Sequence, residues 1–178
     1  MSKLTIPVTK HDHLQGEVNA ACSLVEYGDY ECPSCGEVQP IIKSLQARFR
    51  SKMSFVFRNF PLREIHPWAE AAAEIAELAD SQGKFWEMHD LLFANQESLS
   101  ERSLQALVGD LGLSEANMKQ VRSTGTLRNR IDADLAGGIR SGVNGTPTFF
   151  LNGDRYDGST DFESLAALMD QVLVSNGD

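Results

Sequence analysis

The feature that most constrains this chain is a pair of cysteines, Cys32 and Cys35, standing where a strand hands over to a helix. Before them, Cys22-Ser-Leu-Val-Glu-Tyr27 reads as a short buried strand closed by Gly28 and Asp29. After them, Val38, Ile41, Ile42, Leu45 and Phe49 recur at helical spacing on one apolar face. Met53 to Phe57 then alternates as a second strand would, and Asn59-Phe60-Pro61 ends it. Strand, helix and strand in so few residues predict a βαβ unit with parallel pairing. A cysteine at the start of such a helix meets unpaired backbone N–H groups and the positive end of the helix dipole, which favour thiolate. Pro33 suits the first turn because it lacks an N–H that would go unpaired there. The spacing brings both sulfurs within reach over one turn. Cys32 is expected to be the exposed attacking thiolate and Cys35, a turn deeper, the resolving thiol. Half of a zinc site is the alternative; it needs two more ligands, and His11, His13, His66 and His89 form no second close pair of the finger type.

The middle of the chain reads as helical. Trp68, Ala72, Ile75, Ala76 and Ala79 form one stripe, and Phe85, His89 and Leu92 another. Ser100 and Ser114 precede further apolar periods and are N-cap candidates. Leu127, Ile131, Leu135 and Ile139 line a helix stopped by Gly142. Thr148 to Leu151 is a β-rich run, Asn152-Gly153 a hairpin turn, and Arg155 and Tyr156 lie on the returning strand. A last helix carries Phe162, Leu165, Leu168, Met169 and Val172. The expected fold class is α/β, in the order βαβ, helices, then ββα, with a central sheet of roughly four or five strands. No Pro- or Ser-rich linker divides the chain, so residues 1–178 are read as one domain carrying a helical insertion at about 62–140.

Composition excludes several functions. The 178 residues are 42% hydrophobic and 23% charged, enough for one sizeable core. A net charge of -9 with no basic cluster argues against nucleic acid as a partner. Arg48 to Lys52 closes a helix, where cations are favourable. No apolar stretch approaches the roughly 20 residues of a membrane span. Three cysteines cannot form a closed disulfide framework. Met1 to Lys10 shows no secretory pattern, so a cytoplasmic protein is expected as the sequence stands, and a periplasmic or extracellular one if a leader was removed.

Two segments carry a family resemblance. Glu26-Tyr-Gly-Asp-Tyr-Glu-Cys-Pro-Ser-Cys35 resembles the active-site strand and turn of the thioredoxin superfamily, and Gly145-Thr-Pro-Thr-Phe-Phe150 resembles its second signature, the cis-proline loop. Their order around a helical insertion resembles the DsbA-like branch, from about His13 to the last helix. The resemblance implies a thioredoxin fold and a thiol–disulfide oxidoreductase acting on protein or peptide substrates through a mixed disulfide. A recycling partner of unknown identity is implied, and no cofactor or metal. Pro147 matches the cis-proline, leaving the backbone of Thr146 free to pair with a substrate strand. Pro33 and Ser34 join them as candidate substrate-binding residues. Glu26 matches the buried acid beneath the resolving cysteine, able to accept its proton. Pro40 matches a helix bend. Strongly oxidising members carry His where this chain has Ser34, so a less depressed Cys32 pKa and a less oxidising disulfide are expected. A glutathione-dependent transferase or isomerase on the same scaffold, and a zinc-binding or redox-sensing module, are the competing functions.

Other residues carry smaller expectations. Cys22 reads as a small buried apolar residue. His11-Asp-His13 reads as a solvated polar arm, His89 as a packing histidine, and Trp68, Phe85, Trp86 and Phe93 as packing within the insertion.

Overall fold

A computed structural model describes residues 2–175. Met1 and residues 176–178, which the single-domain reading 1–178 includes, lie outside the described residues. The strands are β1 (His13–Gln15), β2 (Cys22–Gly28), β3 (Met53–Asn59), β4 (Thr148–Leu151) and β5 (Asp154–Tyr156). The helices are α1 (Pro33–Phe49), α2 (Ala69–Asp80), α3 (Phe85–Ala94), α4 (Glu101–Asp110), α5 (Glu115–Thr124), α6 (Arg128–Arg140) and α7 (Phe162–Ser175). The sheet order is β1-β3-β2-β4-β5, with β2 and β3 parallel and every other pair antiparallel. This is a mixed five-stranded sheet of thioredoxin type, as the βαβ and ββα halves predict.

Four local signals behave as read. Ser100 accepts from the Ser103 N–H at the start of α4 and is answered by the Ser103 hydroxyl, a reciprocal cap; Ser114 accepts from the Asn117 N–H at the start of α5. Asn152 and Gly153 both take positive φ (49° and 88°), the geometry a two-residue hairpin turn requires. Cys22 is fully buried, its thiol donating to the Met169 carbonyl at 3.6 Å.

Burial departs from the expected alternation in β3. All seven of its residues are buried, because α1, α2, α3 and α7 cover one face of the sheet and α6 with the N-terminal arm covers the other. Phe55 and Phe57 enter the larger core with α1, α2, α3 and α7, while Val56 joins Val25, Tyr27, Phe60 and Phe150 on the other face. Ile139 is also corrected: it is 61% exposed and lies off the buried face of α6 that holds Ile131.

The N-terminal arm is not solvated as a whole. His11 is exposed, but His13 opens β1 and is buried, its ring stacked on Phe85 at 3.5 Å and its Nε2 2.7 Å from Glu77 Oε1. Asp12 accepts from Arg58 Nε at 2.8 Å. The buried Arg58 guanidinium also donates to the carbonyls of Ile6 and Pro7 and to the Tyr27 hydroxyl. A buried cation so fully partnered ties the arm to the sheet and escapes the penalty of an unpaired charge.

Candidate active site

The redox turn is built where β2 ends. Cys32 is the N-cap of α1 with extended backbone (φ -74°, ψ 119°), and Pro33 occupies the first turn. The Cys32 N–H donates to the Asp29 carbonyl at 3.2 Å, and its own carbonyl accepts from the Cys35 and Gly36 N–H groups at 3.1 and 3.2 Å. Both cysteines are free thiols. Cys32 is only 6% exposed, less open than expected, because the loop before β4 closes over it: its Sγ lies 3.3 Å from the Thr146 carbonyl oxygen. The Thr146–Pro147 bond is cis.

The two thiols are driven apart in acidity. The hydrogen bond from the Cys35 thiol lowers Cys32 to about 5 against the opposing effect of burial, helped by the Thr146 side chain and the Cys35 and Ser34 N–H groups. Burial pushes the Cys35 thiol well above its ordinary value, reinforced by the neighbouring Cys32 and Glu26. The surroundings thus favour the thiolate at Cys32 and the thiol at Cys35.

Glu26 stands in the middle of β2, paired with Phe57 on β3 and Phe149 on β4. It is fully buried, and burial raises its carboxyl to about 8. A bond from Gln39 opposes that rise, the Cys32 charge adds to it, and a bond from Cys35 opposes it. Gln39 Nε2 donates to Glu26 Oε2 at 3.2 Å and to the Cys35 carbonyl at 3.0 Å. Gly28 leaves room for the carboxylate: a Cβ there would sit 2.4 Å from the Phe57 ring and 2.9 Å from Glu26 Oε1.

Several partners of this site were not legible in the sequence. Asp29 accepts from the Glu31 and Leu62 N–H groups at 2.8 and 2.7 Å and lies 2.9 Å from His66 Nδ1. Glu31 accepts from the Trp68 N–H at 2.6 Å. Gln96, just after α3, donates to the Tyr30 and Cys32 carbonyls at 3.2 and 2.9 Å and packs where any side chain on Gly36 would collide with it. Gln96 is 64 positions from Cys32, so no local spacing could reveal it. His89 packs among Phe85, Trp86 and Phe93, as expected, yet it also holds two hydrogen bonds. Among the described residues, one group has metal-ligand character, His13, Glu77 and Asp80, and it includes neither Cys32 nor Cys35.

A family model described as thioredoxin matches residues 8–171. The chain belongs to the thioredoxin family. Within that family, its fold matches DsbA-like structures. Oxidised BdbD from Bacillus subtilis superposes with a TM-score of 0.84 at 21% identity, covering 97% of this chain and 98% of that one. Wolbachia pipientis alpha-DsbA1 superposes at 0.81 and 19% identity, covering 97% and 96%. A thioredoxin-like oxidoreductase from Silicibacter pomeroyi superposes at 0.77 and 22% identity, covering 92% of each. Curated relatives are closer in sequence and much longer. The Na(+)/H(+) antiporter NhaA 1 of Salinispora arenicola is 42% identical over 172 residues, which is 96% of this thioredoxin-family chain and 26% of the relative. NhaA 3 of Salinispora tropica is 40% identical over 178 residues, again 26% of its length. The chain thus spans about a quarter of the curated relatives it matches. No helix among its described residues is long and apolar enough to cross a membrane.

Proposed function

We propose that this chain is a thiol–disulfide oxidoreductase, exchanging a Cys32–Cys35 dithiol or disulfide with protein or peptide substrates. One observation carries the reading: two free cysteines a turn apart at the start of α1, Cys32 Sγ 3.3 Å from the Thr146 carbonyl oxygen and Cys35 buried beside the fully buried Glu26, a setting that lowers the Cys32 thiol and raises that of Cys35. A low-pKa sulfur is both the available nucleophile and the better leaving group in exchange.

In the oxidising direction, a substrate thiolate attacks Cys32 Sγ, the Cys32–Cys35 bond breaks, and Cys35 leaves and takes a proton from Glu26. A second substrate thiolate then attacks the substrate sulfur of the mixed disulfide and Cys32 leaves as thiolate, giving an oxidised substrate and a reduced pair. The reverse sequence reduces a substrate, with Glu26 accepting the Cys35 proton. Thr146 and Pro147, with Pro33 and Ser34, form the surface around Cys32 on which an extended substrate segment docks. The cysteines carry the electrons, so no cofactor is invoked, and a recycling redox partner restores the pair after each turnover. Residues from about 62 to 140 serve as an insertion bracing the redox turn through Gln96, Trp68 and His66. The antiport in the relatives' names is not proposed for this chain, which corresponds to a quarter of their length.

The test is turnover of a scrambled or reduced disulfide protein in glutathione buffers. Cys32→Ser is expected to abolish exchange, and Cys35→Ser to accumulate a mixed disulfide at Cys32. Full activity in Cys32→Ser overturns the proposal. Stoichiometric zinc lost on that substitution favours the metal-binding module, and glutathione binding with no protein exchange favours the transferase.

A further inference from the structure

Behind Glu26 runs a one-directional chain of buried hydrogen bonds that ends on α3. Gln39 faces two acceptors, the Glu26 carboxylate and the Cys35 carbonyl, so its NH2 group must point toward them. Its Oε1 then faces His89 Nε2 at 3.1 Å and needs a proton from it. A neutral imidazole that donates from Nε2 accepts at Nδ1, which lies 3.2 Å from the Tyr30 hydroxyl. Donation therefore passes from Tyr30 to His89, to Gln39, to Glu26. The ring is held edge-on by Phe57 at 4.7 Å and by Trp86 and Phe93 at 5.0 Å each, so it has one orientation. It stays neutral, burial lowering it to about 3.

We infer that His89 is a positioning residue for the exchange reaction, locking the Gln39 amide so that it donates to Glu26 and eases the transfer of the Cys35 proton. The inference rests on the Glu26 role proposed above. The groups facing Glu26 are few. Cys32 comes from the N-cap of α1, Cys35 and Gln39 from α1 itself, Tyr30 from the turn after β2, and apolar Phe57 and Phe149 from β3 and β4. The Gln39 amide is thus the one neutral donor among the named groups that favours the carboxylate without changing its own charge. In the step affected, Cys35 Sγ gives its proton to Glu26 and attacks Cys32 Sγ of a mixed disulfide. The Cys32–Cys35 bond forms and the partner sulfur leaves as thiolate.

The experiment mixes reduced protein with glutathione disulfide and follows glutathione release in the resolving step across pH. The wild-type rate is expected to rise through an inflection near pH 8 as Glu26 ionises. His89→Leu is expected to move that inflection up by about one pH unit, a roughly tenfold slower rate at pH 7, the size of one lost bond to a carboxylate. His89→Gln, which keeps an N–H for Gln39, is expected to restore the profile. An unchanged inflection in folded His89→Leu, with the inflection absent in Glu26→Gln, overturns the role of His89 and leaves that of Glu26 standing. An inflection that persists in Glu26→Gln overturns both. If His89→Leu does not fold, Tyr30→Phe removes one oxygen from the same chain; an upward shift supports the inference and no shift overturns it.

Discussion

The Cys32 sulfur lies 3.3 Å from the carbonyl oxygen of Thr146, a residue 114 positions away. That contact joins the βαβ half of the fold to the ββα half at the reactive atom. It places the sulfur against the backbone of a cis peptide rather than in open solvent. Reactivity here is set by a few short-range donors, and each is open to a direct measurement.

Cys32 is lowered to about 5, between the roughly 3.5 of a strong disulfide oxidant and the roughly 7 of thioredoxin. Thiolate absorbance in reduced protein should titrate near pH 5, and the reduction potential should fall between roughly −270 and −120 mV. Cys35→Ala removes the largest stabilising hydrogen bond and should raise the Cys32 inflection toward its ordinary range. An inflection that stays put would show that the Cys35 thiol does not set the acidity.

Thr146 contributes through its side chain as well as its carbonyl. Its hydroxyl is buried with no hydrogen-bond partner among the described residues, and its side chain favours the Cys32 thiolate. Thr146→Val keeps the shape and removes the donor, so the Cys32 inflection should rise by up to about one unit with little change in melting temperature. A stability loss without a shift in that titration would assign Thr146 to packing only.

Glu26 makes the fold less stable as pH rises. Its carboxyl moves from 4.5 to about 8 on folding, so the native state holds the extra proton between those values. Its contribution is fully present below pH 4.5 and lost by pH 8, a span of a few kcal/mol in principle. Glu26→Gln should therefore be stabilising at pH 8.5 relative to wild type and close to neutral at pH 4.5. Denaturant midpoints at the two pH values test this, and equal differences at both would contradict it.

His89 acts in the opposite sense at acid pH. Its imidazole falls from 6.5 to about 3 on folding, so the unfolded chain binds the extra proton and stability declines as pH drops from 6.5 toward 3. Asp134, raised by burial to about 6, offsets part of that decline, so the comparison is between proteins. His89→Gln should lose less stability than wild type between pH 6.5 and 4. Parallel acid unfolding curves would mean that folding does not lower the imidazole pKa.

What the sequence determined by itself was everything a few neighbouring residues can enforce. The strand, Cys-Pro-Ser-Cys turn and helix follow from local periodicity and from what a helix N-terminus does to a thiol. The Ser100 and Ser114 caps and the Asn152-Gly153 turn follow from side-chain and φ preferences within four residues. Only the tertiary structure decided what touches the site. Whether β3 alternates or is buried throughout depends on whether something covers its second face, and α6 with the N-terminal arm does. His13 became a buried residue because α2 and α3 bring Glu77 and Phe85 against it. Gln39 looks like any polar helix residue until β2 lies beneath it, and His89 and Gln96 reach the redox turn only because α3 packs across α1 and β3. Local preferences are written in backbone sterics and short-range hydrogen bonding; a contact over 50 or 60 residues exists only once apolar faces have chosen their partners.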